Sequence, residues 1–281
     1  MNTRKLIGVF ATEISSRIQG NFYKELHKNA TRLGYNLIFF EADHKRINQS
    51  DTSHTAPILF GFAENIEFKA FVIHAQSLGM PEVINELIDM GKRRHIPVFV
   101  YDCEAFDIKK EAGVYPIVTD YKGGFAKSVR HLIEYHKCKN IFMIAGIKGN
   151  SYSEDREAAY REEMSKAGLP VLDGQVGYGD FWEIPAINAL QGFLDGDLAT
   201  PDAICCANDS MAIAVTRELK NRGIRVPEDI RITGFDGIDD GKYNFPVIST
   251  CEPQLNAVSE YIFEVLEGGA ENRDMLIPLE F

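Results

Sequence analysis

The chain has 281 residues, of which 45% are hydrophobic and 25% are charged. This balance is typical of a globular protein and excludes collagen-like, disordered and disulfide-scaffold classes. The net charge of −11 argues against non-specific nucleic-acid binding, which depends on clustered basic residues, and the chain contains no run of the roughly 20 apolar residues that a membrane span needs.

Short apolar runs alternate with longer amphipathic stretches along the chain. Runs of four to eight apolar residues predict buried strands, and apolar residues that recur every three or four positions predict helices. The strands are predicted, in chain order, over residues 6–10, 36–40, 71–73, 97–101, 141–145, 203–207, 229–235 and 275–279. The helices are predicted over residues 22–33, 81–92, 124–135, 156–167, 210–221 and 255–267, with Gly34, Gly168 and Gly223 at C-terminal ends.

The predicted strands are continuously apolar, which is typical of strands that are buried on both faces. Strands that alternate with helices predict an α/β fold in which right-handed crossovers build parallel sheets. The units fall into two runs that divide near Tyr115 to Tyr121. We therefore expect two doubly wound lobes rather than one very wide sheet.

Ligands of open parallel sheets bind beyond the carboxyl ends of the strands. The residues at the predicted strand ends are polar and acidic, which suits a hydroxyl-rich ligand. They include Thr12, Glu13, Gln76, Asp102, Lys148, Asn150, Asn208, Asp209 and Asp236. Asp120 also follows a strand, but we expect it to begin a turn or to cap the next helix rather than to contact the ligand.

No enzyme motif is complete in this sequence. It contains no Gly-x-Gly-x-x-Gly after the first strand, no Gly-x-Ser-x-Gly, no His-Glu-x-x-His and no Cys-x-x-Cys. We therefore predict no catalytic residue, no metal site and no cofactor. The five cysteines show no repeated spacing, and the adjacent Cys205 and Cys206 fit reduced core thiols of a cytosolic protein.

Two stretches in the second half carry a family signature. They run from Pro201 to Ala212 and from Arg222 to Asp236, and in both order and spacing they resemble the effector-binding core of the lac-repressor (LacI/GalR) family. Weaker similarities lie at residues 7–9, 96–102, 118–120, 155–160, 179–181 and 245–250.

The resemblance implies a type I periplasmic-binding-protein fold, with two Rossmann-like lobes joined by three crossovers and one ligand in the cleft. The N-terminal lobe is expected to contain residues 4–118 and 254–277, and the C-terminal lobe residues 119–253 and 278–281. The ligand-binding residues that it implies are Asp102, Arg156, Phe181, Trp182, Asn208, Asp236, Glu252, Phe22 and Glu13. Glu252 stands where many members have Gln, and the loop before Phe22 departs from the usual spacing.

Each of these assignments has a structural alternative. Asn208 and Asp236 are also suited to turns or helix caps, Arg156 to a helix surface, and Phe181 and Trp182 to packing at a hinge. The chemistry nevertheless favours a sugar, since Asp and Arg make paired hydrogen bonds with hydroxyls and an aromatic face packs on the C–H face of a ring.

The first strand starts within ten residues of Met1, so a helix-turn-helix headpiece would have to lie outside this chain. We expect a cytoplasmic, homodimeric sensor of a small-molecule effector, a sugar or a nucleoside. Its output domain would be a helix-turn-helix, AraC-type or diguanylate cyclase domain, and it would contact DNA only through that domain. The basic runs Lys45-Arg46 and Lys92-Arg93-Arg94 are interpreted as solvated helix ends or loops. An exported solute-binding protein of an ABC transporter and an α/β enzyme remain the alternatives.

Overall fold

The computed structural model describes residues 5–16, 19–42, 59–269 and 275–281. The run Lys45-Arg46 and part of the loop before Phe22 therefore lie outside the described residues. The chain divides into two compact units: unit 1 contains Met1–Thr119 and Gln254–Ile277, and unit 2 contains Asp120–Pro253 and Pro278–Phe281.

The described elements alternate as the sequence predicts. The strands are β1 Lys5–Thr12, β2 Tyr35–Ala42, β3 Ala70–His74, β4 Val98–Tyr101, β5 Val114–Thr119, β6 Ile141–Ala145, β7 Val176–Tyr178, β8 Ala203–Cys206, β9 Arg231–Thr233, β10 Glu252–Pro253, β11 Met275–Ile277 and β12 Leu279–Glu280. The helices are α1 Gly20–Leu33, α2 Ala75–Leu78, α3 Pro81–Arg93, α4 Tyr121–Glu134, α5 Ser151–Lys166, α6 Glu183–Asp195, α7 Asp209–Asn221, α8 Asp239–Tyr243 and α9 Leu255–Leu266, with a 3-10 helix at Phe62–Asn65.

Each unit has its own parallel sheet, which confirms the α/β fold class. The order is β11-β5-β4-β3-β1-β2 in unit 1 and β7-β6-β8-β9 in unit 2, and every pair within these two sheets is parallel. In both sheets the first strand of the unit has its second strand on one side and its third on the other. The strand order therefore reverses beside β1 and beside β6, which is where doubly wound sheets bind ligands.

The burial of the strands on both faces explains why their sequences are unbroken apolar runs. All residues of β3, β4, β6 and β8 are buried, as expected for strands covered on both faces. The five cysteines are all free and buried, so their burial accords with the interpretation as core thiols. Lys92 and Arg93 end α3 and form ion pairs with Glu111 and Glu64, as predicted for a solvated helix end. Arg94 differs, since it is half-buried and donates to the carbonyl oxygens of Ala63 and Ile66.

Capping residues account for several helix boundaries. Gly34 follows α1 in the left-handed conformation with φ 77°, and Pro81 is the first residue of α3; both agree with prediction. Asp120 caps α4 by accepting a hydrogen bond from the Gly123 amide at 2.9 Å, also as predicted.

Three element boundaries were predicted wrongly. Helix α5 begins at Ser151 rather than at Arg156, because the Asn150 side chain accepts from the Ser153 amide and caps an earlier turn. Strand β9 covers only Arg231–Thr233, since Asp229 is held in a turn by hydrogen bonds with Arg225.

The third boundary concerns the last predicted strand, 275–279, which is two strands. Strand β11 pairs with β5 in unit 1, and β12 pairs antiparallel with β10 in unit 2. Pro278 lies between them and has no N–H to continue a ladder. Strands β5, β7 and β10 and helices α2, α6 and α8 were not predicted.

Candidate functional site

In unit 2, a buried arginine lies at the carboxyl ends of the strands. Arg156 is 5% exposed and donates from Nη1 to the Ala207 carbonyl oxygen at 2.9 Å. Its Nη2 lies 3.4 Å from Asp236 Oδ1, and its Nε has no hydrogen-bond partner. A charged group this deeply buried is stable only when it is paired, so Arg156 is built into the unit rather than lying on a helix surface.

Three aromatic rings surround this guanidinium. Its central carbon lies 4.4 Å from the ring centroid of Phe235, 5.4 Å from that of Tyr121 and 5.5 Å from that of Phe181. These distances fall in the range of cation–π attraction. The rings therefore orient the planar fork of N–H donors that an arginine offers to a ligand.

Phe181 is held over Arg156 by a strained turn and by a glycine. Asp180 and Phe181 have φ values of 51° and 63°, a conformation that bulky L residues rarely adopt. The Phe181 ring packs against Gly146 so closely that a Cβ there would overlap it. The backbone after β6 and the turn after β7 thus cooperate to place this ring.

Asn208 and Asp236 also serve as structural residues, as the alternatives in the sequence suggest. Asn208 caps α7 by accepting from the Met211 amide at 2.9 Å, and its Nδ2 donates to the Phe181 carbonyl oxygen at 3.1 Å. Asp236 has φ 106°, and its amide donates to the Cys251 carbonyl oxygen. Both side chains are therefore fixed in position at the strand ends.

Two other predicted residues of unit 2 are placed differently. Trp182 precedes α6 and is 71% exposed. The Glu252 carboxylate pairs with Lys242 Nζ at 3.3 Å, and Gly237 packs against its Cβ. The structure thus brings together Arg156, Phe181, Asn208 and Asp236, whereas Glu252 is engaged with a lysine.

In unit 1, the predicted residue Asp102 belongs to a hydrogen-bonded chain. It follows β4, is 2% exposed and has φ 56°, a conformation that Asp tolerates better than most residues. Its Oδ2 lies 3.3 Å from His74 Nε2, and His74 Nδ1 lies 2.7 Å from the Tyr23 hydroxyl. Burial raises the pKa of Tyr23 far above its usual range, so its hydroxyl stays protonated. His74 thus links the Tyr23 hydroxyl to the Asp102 carboxylate.

Glu104 lies beside Asp102 at the same strand end. Neither of its carboxyl oxygens is exposed to solvent or has a hydrogen-bond partner. Burial, together with the neighbouring Asp102 carboxylate, raises the pKa of Glu104 to about 9. At neutral pH Glu104 therefore holds a proton in the structure.

The remaining two predicted residues of unit 1 differ from each other. Phe22 is 1% exposed and stacks on Tyr101 with ring centroids 4.3 Å apart, so it forms part of the core around His74. Glu13 is exposed, directly after β1, with φ 50°.

Sequence reasoning missed His74, Glu104, Tyr121 and Phe235. His74 was missed because β3 extends to residue 74, one residue beyond the predicted strand. The acidic pair could have been found from the spacing of Asp102 and Glu104 after β4. Within the described residues, no three His, Cys, Asp or Glu side chains are placed to hold a metal ion, and no helix is long and apolar enough to cross a membrane.

Several known proteins are similar to this chain. Residues 129–275 match the family described as a periplasmic binding protein-like domain. Catabolite control protein A of Priestia megaterium is 25% identical over 260 residues, which cover 92% of this chain and 71% of that protein. The HTH-type transcriptional repressor PurR of Klebsiella pneumoniae subsp. pneumoniae is 24% identical over 266 residues, covering 95% and 73%.

Solved structures share the fold. A sugar-binding transcriptional regulator of the LacI family from Escherichia coli, complexed with phosphate, has a TM-score of 0.73 at 19% identity, covering 98% of this chain and 96% of that one. The complex of the transcriptional regulator CelR with cellobiose has a TM-score of 0.72 at 19% identity, covering 100% and 84%.

Proposed function

Because the chain belongs to the family of periplasmic binding protein-like domains, we propose that it senses a small polar molecule for a bacterial transcription regulator or signalling protein. The observation that carries this proposal is the buried Arg156, which is paired with Asp236 and surrounded by three aromatic rings at the strand ends of unit 2. A fork of donors beside a carboxylate and an aromatic face suits a sugar or a nucleoside-like compound. That the transcriptional regulator CelR forms a complex with cellobiose supports a sugar.

The ligand would be bound by Arg156, Asp236, Asn208 and Phe181 from unit 2 together with Asp102 from unit 1. Trp182, Glu252, Phe22 and Glu13 remain further candidates. An arginine has five N–H donors, and the bonds to Ala207 and Asp236 use two of them. The others are available to a ligand hydroxyl.

Signalling would proceed by closure of the two lobes around the ligand. A ligand shifts such an equilibrium only by its differential affinity for the closed state. Closure would then alter a dimer surface and act on an output domain, which would be a helix-turn-helix, AraC-type or diguanylate cyclase domain. We place the protein in the cytoplasm; relatives such as PurR are repressors of transcription, which favours this role over that of an exported solute-binding protein.

The single tryptophan of the chain provides a direct test. Trp182 is exposed and adjoins Phe181, so its fluorescence should respond when a ligand contacts this loop. Sugars, sugar phosphates, nucleosides and purines are titrated, and each hit is checked by thermal shift, since a ligand at about 100 times its Kd adds about 2.7 kcal/mol to the free energy of unfolding. A response to none of these compounds would refute the proposal.

Two substitutions test the residues themselves. Arg156→Ala and Asp102→Ala are each expected to abolish most of the ligand response while the chain stays folded. Arg161→Ala removes an exposed arginine of the same helix and serves as the control. If both pocket variants bind within about twofold of the natural protein, a change of less than about 0.5 kcal/mol, the assignment of these residues is wrong.

The homodimer is also a proposal, and one surface of unit 2 suits it. Tyr243, Phe245 and Val247 are 88%, 86% and 64% exposed, and Phe245 lines a groove together with Ile224 and Val226. Contiguous exposed apolar surface of this kind is typical of interfaces. Sedimentation should show a dimer that Phe245→Asp converts to a monomer; a natural protein that sediments as a monomer would refute the dimer.

A further inference from the structure

The carboxyl ends of β4 and β5 in unit 1 hold three buried polar atoms without partners. Two are the carboxyl oxygens of Glu104, and the third is the hydroxyl oxygen of Thr119, a residue that is 3% exposed. Glu104 and Thr119 lie near each other, because Tyr101 of β4 pairs with Ile117 of β5 and the Cys103 thiol donates to the Ile117 carbonyl oxygen. Native proteins satisfy nearly all buried polar atoms. Three unsatisfied oxygen atoms in one place therefore indicate that a ligand group binds there.

The charges around this position have one sign. Asp102 and Glu104 are two residues apart, and the Asp102 carboxylate disfavours ionisation of Glu104. The titratable groups that face Glu104 are Asp102, Cys103 and Tyr101 from its own strand end. Through Asp102 it is also linked to His74 of β3 and Tyr23 of α1.

The hydrogen bonds that link Tyr23, His74 and Asp102 hold the Asp102 side chain in one orientation. His74 is 3% exposed, and the rings of Phe22, Tyr23 and Tyr101 lie around it with centroids 5.0 to 5.9 Å away. It cannot turn away from Asp102 without losing both hydrogen bonds. Asp102 is therefore held against Glu104 rather than free to move from it.

We propose that Asp102 and Glu104, oriented by His74, form a subsite for a positively charged nitrogen of the ligand, an ammonium group rather than a hydroxyl. This inference rests on the proposed sensing function and names the ligand chemistry within it. An ammonium group donates three hydrogen bonds, which matches two carboxyl groups and the Thr119 hydroxyl. Its charge takes the place of the proton on Glu104, so that binding releases one proton from the carboxyl to solvent.

The test compares matched sugars on the full chain. D-glucosamine and D-galactosamine are titrated against D-glucose and D-galactose, with Trp182 fluorescence and thermal shift as readouts. We expect an amino sugar to bind more tightly than its hydroxyl parent. Glu104→Gln should lower the affinity for the amino sugar about tenfold, the equivalent of one charge-assisted hydrogen bond. It should change the affinity for the hydroxyl parent less than threefold.

The control variant is Glu86→Gln, which makes the same charge change at an exposed position of α3 in the same unit and should alter neither affinity. Calorimetry in two buffers of different ionisation enthalpy should detect the released proton in the natural protein and not in Glu104→Gln. Without any ligand, infrared difference spectra of the two proteins should show the C=O stretch of a protonated carboxylic acid in the natural protein.

Three results would overturn the proposed subsite. They are equal affinity for amino sugars and their hydroxyl parents, an equal loss of affinity for both kinds of sugar in Glu104→Gln, and the lack of a protonated-acid band in the infrared difference spectrum. If neutral sugars or nucleosides bind in these cases, the sensing function stands and only the subsite fails. If no compound of either panel binds, both proposals fail.

Discussion

The strand ends of the two units share a topology but carry opposite charge arrangements. In unit 2 a buried cation, Arg156, is paired with Asp236 and enclosed by aromatic rings. In unit 1 two acidic side chains, Asp102 and Glu104, lie together, and Asp102 pairs with His74. The strand ends of unit 2 thus hold an arginine that is paired with a carboxylate, whereas those of unit 1 hold two neighbouring acidic side chains.

One sheet topology thus carries two different charge arrangements at its strand ends. The paired arginine of unit 2 offers donors at little electrostatic cost, because Asp236 and the aromatic faces already offset its charge. The acidic pair of unit 1 avoids its repulsion by keeping a proton on Glu104. This contrast is why we propose that unit 2 binds neutral hydroxyl groups and that unit 1 binds a donor with positive charge.

The largest expected effect is that of removing the cation from unit 2. Arg156→Ala leaves Asp236 without its ion pair and the Ala207 carbonyl without a donor, so we expect a loss of about 2–4 kcal/mol in the free energy of unfolding. Urea unfolding measures it. Arg161→Ala, on the solvated side of the same helix, should cost less than about 0.5 kcal/mol; similar losses in both variants would contradict the description of Arg156 as a buried pair.

The next effect concerns the ring that covers Arg156. Gly146→Ala places a methyl group where the Phe181 ring lies, which should cost about 1–3 kcal/mol by overpacking and shift the emission of the adjacent Trp182. A methyl group on Gly192 in α6 would meet no neighbouring atom within 4 Å, so Gly192→Ala should be neutral or stabilising by up to about 1 kcal/mol. An unchanged Tm for Gly146→Ala would mean that Phe181 is not held there.

The acidic pair of unit 1 should appear in the pH dependence of stability. The pKa of Glu104 is raised from 4.5 to about 9 by burial and by Asp102, so its stabilising contribution is fully present below about pH 4.5 and is lost as the pH rises toward 9. Glu104→Gln cannot ionise and keeps its stability. The variant should match the natural protein near pH 4 and exceed it by at least about 1 kcal/mol at pH 8, since one pKa unit is worth about 1.4 kcal/mol; a constant difference across this range would contradict the protonated Glu104.

The smallest effect tests the support of that pair. Tyr23→Phe removes the hydroxyl that shares a hydrogen bond with His74 Nδ1 and leaves a buried nitrogen without a partner, at a cost of about 1 kcal/mol. Tyr135 is 74% exposed, so Tyr135→Phe should change stability by less than about 0.5 kcal/mol. Chemical denaturation measures the free energy of unfolding of both variants. Equal losses in the two variants would mean that the Tyr23–His74 hydrogen bond contributes nothing to stability.

Much of the fold could be predicted because the signals are local. Continuous apolar runs identify β1, β6 and β8, and Gly34, Pro81 and Asp120 mark helix ends through their own backbone chemistry. Strand β7, with three half-buried residues, is too short to show a period, and the start of α5 depends on a cap five residues before the predicted one.

The site divides in the same way. The sequence by itself determined that Asp102 and Asn208 follow strands and that Arg156 lies on a helix, because these are properties of the local pattern. Only the tertiary structure decided that Arg156 meets Asp236, 80 residues away, and that His74 meets Asp102, 28 residues away. Parallel strands bring their carboxyl ends to one edge whatever their separation along the chain. Burial at that edge then decides which side chains keep a charge and which keep a proton.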